Sequence, residues 1–461
     1  MISSWRRRRS AGRRTRKEQL NLNSGGGGDI ELTIPSHFRC PISLDLMKDP
    51  VTLATGITYD RQSIETWIES GNVTCPITNQ VLRNLEPIPN HTIRKMIQDW
   101  CVQNKSYGIE RIPTPRIPIS SVEASDILVN ITEAGKRRDQ DKCKELVAKI
   151  KALMKESERN KKGIASNGAG KALSVAFEEF SSSKSAVTDE NDAVLDELLS
   201  ALTMIFPLDE EAKCVLGLES CLRCMVRFLE AGDLSRRRNS ILVIKQIISS
   251  DKRKISAMAE IEGALEALVK LIKEPICPTS KKASLMVVYH MVSSSSSFSN
   301  DKIRERFVEM GLVSLLLEML VDSEKSVCDK ALGVLDGICS CKGGREKAYG
   351  HALTMPVLVK KILRVSDSAT EFSVSILWKL ACKNEDEENA EKEKNEENKV
   401  IKVAVEALQV GAFQKLLLLL QVGCGERVKE KTSELLKLLN LHRARVECID
   451  SMDFKDLKRP F

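Results

Sequence analysis

The feature that most constrains this chain is a glycine that recurs, followed by small or apolar residues, through most of its length. The recurrences are Gly168-Ala169, Gly217-Leu218, Gly263-Ala264, Gly311-Leu312, Gly350-His351 and Gly411-Ala412. Successive glycines lie 49, 46, 48, 39 and 61 residues apart, and apolar stretches with helical periodicity follow them. One such unit cannot bury its apolar face alone, so units that recur at a fixed interval are expected to stack.

The longest interval contains an insertion, residues 384–399, with eight acidic residues and three lysines. We expect it to be a disordered loop, and removing its 16 residues leaves an interval of 45. A period of about 40 to 47 residues is typical of armadillo or HEAT repeats, which contain two or three helices each. Residues 126–450 are therefore predicted to form an armadillo-type α-solenoid whose concave face binds extended partners, followed by a tail over 451–461. The alternative, a helical bundle with accidental glycines, is disfavoured by the regular spacing.

The formal charge of +7 is concentrated in a tail. Residues 1–17 carry eight Arg or Lys and no acid, which leaves the rest of the chain near −1. Residues 1–32 are predicted to be a disordered basic tail with a flexible glycine tether at 25–28. The tail is interpreted as a nuclear-import signal, an attraction to anionic lipid or nucleic acid, or a solvated segment. A basic tail on a neutral body makes nucleic-acid binding by the body an unfavoured function.

The 14 cysteines form no regular framework, and no N-terminal apolar run resembles a secretory signal. No stretch reaches the roughly 18 apolar residues that a membrane-spanning helix needs. These features predict a reducing compartment, the cytoplasm with the nucleus as a second site, in which most cysteines are small core residues.

Residues 33–107 have the pattern of a small α+β module. Val51–Leu53 and Ile57–Tyr59 are β-prone and predict a hairpin. Asp60 is expected to cap a helix over Arg61–Ser70 that Gly71 stops.

A second helix of this module is expected to begin after Asn90. Its apolar residues recur at i, i+3, i+4, i+7 and i+8, which predicts one buried face made of Ile93, Met96, Ile97, Trp100 and Cys101. Residues 108–125 contain three prolines and are predicted to be a stiff linker to the solenoid.

Other sequence patterns do not support enzyme or metal chemistry. The run from Ala165 to Ala172 lacks the first glycine and the Ser or Thr of a phosphate-binding loop, so it is interpreted as a turn between helices. Cys221-x-x-Cys224 and Cys339-x-Cys341 lie in helical runs without a second pair nearby and are interpreted as core residues. The five histidines are dispersed, and we expect no catalytic residue, cofactor or metal ligand set.

The 33–107 module in particular lacks the eight ligands of a cross-brace zinc domain. Only Cys40 and Cys75 fall near suitable positions, and Ser43 stands where the partner of Cys40 would be. The module must then be held by its core and by polar contacts between loops. Candidates for those contacts are Ser43, Asp45, Thr58, Asp60, Arg61 and Thr78.

The same residues carry a resemblance to a known family. The runs C-P-I-S-L-D-L-M-x-D-P-V, G-I-T-Y-D-R-x-x-I-x-x-W, C-P-I-T and P-N-H-T-I-R, in this order, resemble the U-box, a zinc-free relative of the RING finger. With the proline linker and the armadillo-type repeats, the whole chain resembles the plant U-box ubiquitin ligases with armadillo repeats. The implied fold is mostly α: a small RING-like α+β U-box followed by an armadillo α-solenoid.

The resemblance implies that the module binds a ubiquitin-conjugating enzyme charged with ubiquitin. The apolar contacts fall on Ile42 and Leu44 in the first loop and on Pro76 in the second, with Trp67 as a fourth member. For Ile42, Leu44 and Trp67 a core role is the alternative. Many family members place an Arg three residues after the second-loop proline, but this chain has Asn79, followed by Gln80. These amides can donate hydrogen bonds but carry no charge, so weaker activation of the conjugating enzyme is expected.

The function implied is transfer of ubiquitin to lysines of a protein substrate held by the armadillo repeats, in plant defence or stress signalling. No residue of this chain need form a thioester, and self-association into a homodimer stays open. One rival function is a nuclear-import adaptor, which Trp378 as the single tryptophan of the repeats disfavours. A second rival is a scaffold with an inactive U-box. A third is a ligase with Cys75 as a catalytic cysteine, which has no basic partner visible in the sequence.

The zinc-free assignment predicts the metal content of the module. The purified 34–101 fragment should contain no stoichiometric zinc by atomic emission or mass spectrometry, because its sequence lacks the ligands. One or more zinc ions per chain would overturn the assignment.

Overall fold

The computed structural model describes residues 34–112, 114, 118–182, 191–249, 251, 253–293, 298–381 and 390–453. The predicted basic tail at 1–32 and residues 454–461 lie outside these ranges. The chain divides into two compact units, the second beginning at Pro118.

The first unit is built on a small antiparallel sheet with strand order β2-β1-β3. Strand β1 spans Pro50–Thr52, β2 spans Thr58–Asp60 and β3 spans Ile88–Pro89. The predicted hairpin is present, with Val51 opposite Tyr59 and the Leu53 N–H donating to the Ile57 carbonyl at 3.1 Å. These strands are flanked by two helices, α1 over Arg61–Glu69 and α2 over His91–Gln103.

The core of this unit is formed by one face of each helix packed on the sheet. Tyr59, Ile64 and Ile97 are fully buried in it. The apolar face predicted for α2 is buried or half-buried except at Met96, which is 44% exposed. Asn90 caps α2 as expected, because its side chain accepts a hydrogen bond from the Ile93 N–H at 2.9 Å.

Asp60 does not cap α1 with its side chain, contrary to the sequence prediction. Its carboxylate accepts from the N–H groups of Lys48 and Asp49 instead, at 2.8 and 2.9 Å. The helix ends at Glu69 rather than Ser70, and Gly71 follows in the left-handed conformation at φ +85°. That conformation is one that glycine adopts without steric cost.

The second unit is a stack of helices that follows the predicted repeat. It begins with a pair, α3 over Ser121–Arg137 and α4 over Gln140–Glu156. Six triplets follow: α5–α7 over Glu158–Ser166, Ala169–Ser181 and Asp192–Met204; α8–α10 over Glu210–Leu216, Glu219–Ala231 and Leu234–Ile248; α11–α13 over Arg253–Ala259, Ala264–Lys273 and Pro278–Ser293; α14–α16 over Phe298–Glu309, Leu312–Asp322 and Lys325–Ile338; α17–α19 over Lys342–Tyr349, Thr354–Lys361 and Asp367–Ala381; and α20–α22 over Ala390–Gln409, Ala412–Val422 and Glu426–Asp453.

The last helix of each unit packs against the last helix of the next, in the order α4, α7, α10, α13, α16, α19 and α22. We call this layer the third-helix ladder. The triplets and their ladder identify armadillo-type repeats, and a single apolar core runs through all of them.

The six recurring glycines lie at the six junctions between the first and second helices of the triplets. Gly168, Gly263, Gly311 and Gly411 have φ between +74° and +84° at the start of the second helix. A side chain would be strained at this φ, which explains why the sequence repeats a glycine there. Gly168 is thus a full member of the series, in a turn between helices rather than a phosphate-binding loop.

The boundaries of the solenoid differ from the predicted ones. Helix α3 begins at Ser121, so the predicted linker over 108–125 ends earlier than expected. Helix α20 begins at Ala390, so part of the insertion at 384–399 is helical rather than a disordered loop, and residues 384–389 lie outside the described residues. Helix α22 continues to Asp453, beyond the predicted start of the tail at 451.

The paired cysteines of the repeats are core residues, as predicted. Cys221, Cys224, Cys339 and Cys341 are all buried. Burial raises the pKa of the Cys221 thiol to about 11 and of the Cys224 and Cys339 thiols to about 12. They therefore stay protonated and unreactive at neutral pH.

Among the described residues no single helix is both long and apolar enough to cross a membrane. One pair bent by 76°, Val400–Gln409 with Ala412–Val422, meets the length and composition requirements jointly.

Two glycines on α16 allow close contact along the third-helix ladder. A Cβ on Gly337 would lie 2.4 Å from Val292 Cγ2, and one on Gly333 would lie 3.0 Å from the Tyr289 ring and 3.1 Å from the Phe372 ring. Helices α13 and α19 can pack on α16 here because these positions lack side chains.

This close contact predicts a difference between two helical glycines. Gly337→Ala should destabilise the protein by about 1–3 kcal/mol, because the added methyl group overlaps Val292. The matched control is Gly343→Ala on α17, where the nearest atom to the added Cβ is 3.8 Å away and the change should be neutral or stabilising by up to about 1 kcal/mol. Thermal denaturation of both variants tests the prediction, and equal melting temperatures would contradict it.

Candidate partner-binding site

Two loops of the first unit share one local fold. The first knuckle, Cys40–Asp45, reads C-P-I-S-L-D, and the second knuckle, Cys75–Gln80, reads C-P-I-T-N-Q. In the first, the Leu44 N–H donates to the Cys40 carbonyl at 2.8 Å and the Cys40 N–H to the Asp45 carbonyl at 2.9 Å. The second repeats both bonds, since the Asn79 N–H donates to the Cys75 carbonyl and the Cys75 N–H to the Gln80 carbonyl, each at 2.9 Å.

The fifth residue of each knuckle adopts a left-handed backbone conformation. Leu44 has φ +65° and Asn79 has φ +56°. Asn tolerates this region better than most residues, whereas Leu pays a strain of about 1–2 kcal/mol. The strain at Leu44 is the kind that persists at functional positions, and it turns a large apolar side chain outward.

The two cysteines anchor the knuckles to consecutive residues of β2. Both thiols are fully buried. Cys40 Sγ accepts from the Asp60 N–H at 3.3 Å, and the Tyr59 hydroxyl lies 3.0 Å from Cys75 Sγ. The Thr55 hydroxyl also donates to Cys75 Sγ at 3.3 Å. Strand β2 therefore brings the two loops together through these sulfur contacts.

The environment of Cys75 changes its acidity. Burial raises its pKa, but hydrogen bonds from the hydroxyls of Thr55, Thr78 and Tyr59 outweigh it and lower the pKa of the thiol to about 6. Burial also raises the pKa of Tyr59, with a further contribution from its hydrogen bond to Cys75. The sequence showed no basic partner for Cys75, and the hydroxyl groups lower the pKa of its thiol without one. A fully buried sulfur is nevertheless shielded from a macromolecular thioester.

The predicted apolar contact residues lie on the outer side of the knuckles to different degrees. Leu44 is 57% exposed, whereas Ile42 is half-buried and contacts the core of the unit. Pro76 is half-buried, and the next residue, Ile77, is 53% exposed. Ile77 was missed by the sequence analysis, although the repeated C-P-I places it at the same position as Ile42.

Trp67 anchors the second knuckle. Its indole N–H donates to the Thr74 carbonyl at 2.8 Å, and its own carbonyl accepts from the Asn72 side chain at 2.9 Å. The ring also packs against the core. Trp67 is therefore a positioning residue for the loop that holds Pro76.

Asn79 and Gln80 end the second knuckle with exposed side chains. The Gln80 N–H donates to the Thr78 hydroxyl at 3.4 Å, as the Asp45 N–H does to the Ser43 hydroxyl at 3.3 Å. The predicted polar contacts of Ser43 and Thr78 are thus largely within their own loops. Their placement leaves both amides available to a partner.

Asp49 holds the unit together between β1 and both helices. Its carboxylate accepts from Arg61 Nε of α1 at 2.7 Å and pairs with the guanidinium of Arg94 of α2. Asp60 in turn holds the backbone of residues 48 and 49. Asp60 and Arg61 were predicted to make polar contacts, but Asp49 and Arg94 were not, although both lie within the motif runs. Asp45 is exposed and takes no comparable part.

Within the described ranges no three His, Cys, Asp or Glu side chains gather as a metal site. A pair of matching loops anchored by buried cysteines on a small sheet, followed by helical triplets with a continuous ladder, defines the class of U-box proteins that carry armadillo repeats.

Comparison with known proteins gives the family. The U-box domain model matches residues 34–106, and the model of the plant U-box protein ARM repeat region matches residues 123–459. The chain is similar to U-box domain-containing protein 21 of Arabidopsis thaliana, at 46% identity over 94% of both chains. It is also similar to U-box domain-containing protein 20 of the same plant, at 43% identity over 99% of both chains. This chain therefore belongs to the plant U-box proteins with armadillo repeats.

The Asp49 contacts generate a stability prediction. Asp49→Asn should destabilise the first unit by about 1–3 kcal/mol, because it removes the counter-charge of Arg94 and leaves Arg61 with Glu65 alone, at 3.6 Å. Asp45→Asn is the matched control on an exposed carboxylate of the same loop and should have little effect. Amide hydrogen exchange in β1, β2 and α1 of the full chain measures both changes. Equal protection in the two variants would show that Asp49 does not hold the unit.

Proposed function

We propose that the two knuckles bind a ubiquitin-conjugating enzyme charged with ubiquitin and that the chain promotes transfer of this ubiquitin to lysines of proteins bound by the repeats. The observation that carries the proposal is the pair of knuckles, which present Leu44 and Ile77 to solvent on rigid turns. Exposed apolar groups held on such turns are typical of interaction sites.

As a member of its family, the chain is a ubiquitin transferase of the RING-type U-box class. A relative at 32% identity over 90% of this chain, from Arabidopsis thaliana, is named E3 ubiquitin-protein ligase PUB23. Its name supports the same activity here. A role in plant defence or stress signalling stays a prediction from the family resemblance.

The proposed mechanism requires no nucleophile from this chain. The conjugating enzyme carries ubiquitin as a thioester on its own cysteine. The substrate lysine amine attacks the thioester carbonyl, an amide bond forms, and the cysteine thiol leaves. Holding both reactants in this geometry lowers the entropic cost of the encounter, and the chain contributes by that positioning.

The second knuckle also determines how strongly the partner is activated. Asn79 or Gln80 would donate neutral hydrogen bonds across the conjugating enzyme and ubiquitin, where many family members have an arginine. Neutral hydrogen bonds are roughly half as strong as those of a guanidinium, so we expect the weaker activation that the sequence indicated.

Self-ubiquitination in a purified reaction with activating enzyme, a panel of conjugating enzymes, ubiquitin and ATP tests this function. The wild-type chain should form polyubiquitin products. Ile42→Ala, Leu44→Ala, Pro76→Ala and Ile77→Ala should each lower the rate by about 30-fold or more, because central apolar contacts commonly contribute about 2 kcal/mol to binding.

Two variants serve as controls. Val102→Ala removes an apolar side chain that is 56% exposed on α2, outside both knuckles, and should retain the wild-type rate. Cys75→Ser should retain activity if it folds, because the buried thiol only anchors the loop. No product with any conjugating enzyme would favour the scaffold function instead. Loss of activity in a folded Cys75→Ser variant, as judged by hydrogen exchange, would restore the catalytic cysteine.

A further inference from the structure

The third-helix ladder carries a groove near its C-terminal end. Two adjoining cavities of about 440 and 510 Å³ lie along it and share Asp336 and Phe372 in their walls. Helices α13, α16, α19 and α22 all contribute to the lining. Helix axes pack about 8–10 Å apart, so four helices span about 27 Å, the length of about eight extended residues.

The floor of the groove is formed in part by two aromatic rings. The rings of Tyr289 and Phe372 meet edge to face at a centroid distance of 6.0 Å, over the close contact at Gly333. Phe372 lines both cavities, so its ring offers an apolar surface for the stem of a long side chain of a partner.

Trp378 forms the adjacent wall of the groove. Its indole N–H donates to the Glu434 carboxylate, which fixes the ring plane. Lys431 lies over the ring at 5.3 Å and donates to the Ser375 hydroxyl at 2.9 Å. The aromatic wall is therefore held in place by contacts of its own, as a preformed binding surface is.

The charges that are not engaged within the groove are mainly negative. Two ion pairs are internal, Arg304 with Asp301 and Lys379 with Asp336. Among the described residues Glu371 and Glu430 have no ion-pair partner, and both are exposed in the cavity wall. Three lining carboxylates, Glu434 being the third, therefore face two cations, Arg427 and Lys431. In the described lining, carboxylates that have no ion-pair partner thus outnumber the cations that have none, and this excess of negative charge favours a cationic partner.

We propose that this groove is the docking site for an extended peptide segment of the substrate that carries lysine or arginine side chains. The stems of these side chains lie against Phe372 and Trp378, and their charged ends pair with Glu371 and Glu430. The inference rests on the proposed function, because it names the substrate class that the repeats would bring to the U-box.

Fluorescence anisotropy with the full chain and three labelled twelve-residue peptides tests this inference. The probes alternate Arg with Ser, Glu with Ser, and Gly with Ser. The Arg-Ser peptide should bind, more weakly as salt is raised, and the other two should not. Equal binding of all three peptides, or none by the Arg-Ser peptide, would overturn the proposal.

A charge-neutralising pair of variants locates the site. Glu371→Gln with Glu430→Gln should weaken binding of the Arg-Ser peptide by about five-fold or more, since each exposed ion pair contributes up to about 1 kcal/mol. Glu309→Gln with Glu318→Gln makes the same charge change at exposed positions on α14 and α15 that line neither cavity, and should leave the affinity unchanged. Equal affinities in the two double variants would place the peptide elsewhere and refute the assignment.

Two readouts on the wild-type chain, peptide binding and self-ubiquitination, separate this inference from the proposed function. Peptide binding without polyubiquitin formation would refute the transferase activity alone. Polyubiquitin formation without charge-selective peptide binding would refute the docking site in the groove and leave the transferase activity standing.

Discussion

The first unit depends on one carboxylate, Asp49, placed where a strand meets two helices. The two loops of this unit are anchored by hydrogen bonds to two buried sulfurs, so their geometry must come from many contacts that reinforce each other. Asp49 neutralises guanidinium groups from both helices, and Asp60 fixes the backbone that carries Asp49. Because neither guanidinium is fully exposed, the charges are screened by water less than surface pairs are. The knuckles keep their shape because the strand that anchors both sulfurs is fixed in this way.

The repeats follow a different rule, in which each unit is stabilised by its neighbours. A left-handed glycine begins the second helix in four of the six triplets, and the other two junctions reach the same packing at ordinary φ. The third-helix ladder then aligns side chains from successive units. An aromatic residue on one helix can meet another two helices away only because Gly333 lies between them. Stability in this unit thus comes from repetition, whereas its surface chemistry comes from positions where the repeats differ.

The amount that the sequence could predict varied with the range of the interaction. Helical periodicity, the repeat interval and the cap at Asn90 are local properties, and they were predicted correctly. The pairing of Asp49 with Arg94 joins residues far apart in the chain, and the sequence contains no signal that selects it from other charge pairs. The helix from Ala390 was missed because charge density was interpreted as disorder, although Glu, Lys and Ala also favour helices. The exposure of Ile77 was predictable in principle, since it follows from recognising that one loop repeats the other.

The likeness of the two knuckles has a consequence for the direction in which a partner docks. Two loops of matching backbone, each beginning Cys-Pro-Ile, present a partner with two similar surfaces that differ mainly in their side chains. The fifth residue distinguishes the two loops, because Leu44 is apolar where Asn79 is polar. A partner with one apolar edge and one edge of hydrogen-bonding groups would then contact the two loops in a single orientation. The difference between the two loops therefore bears on the orientation of a bound partner as well as on its affinity.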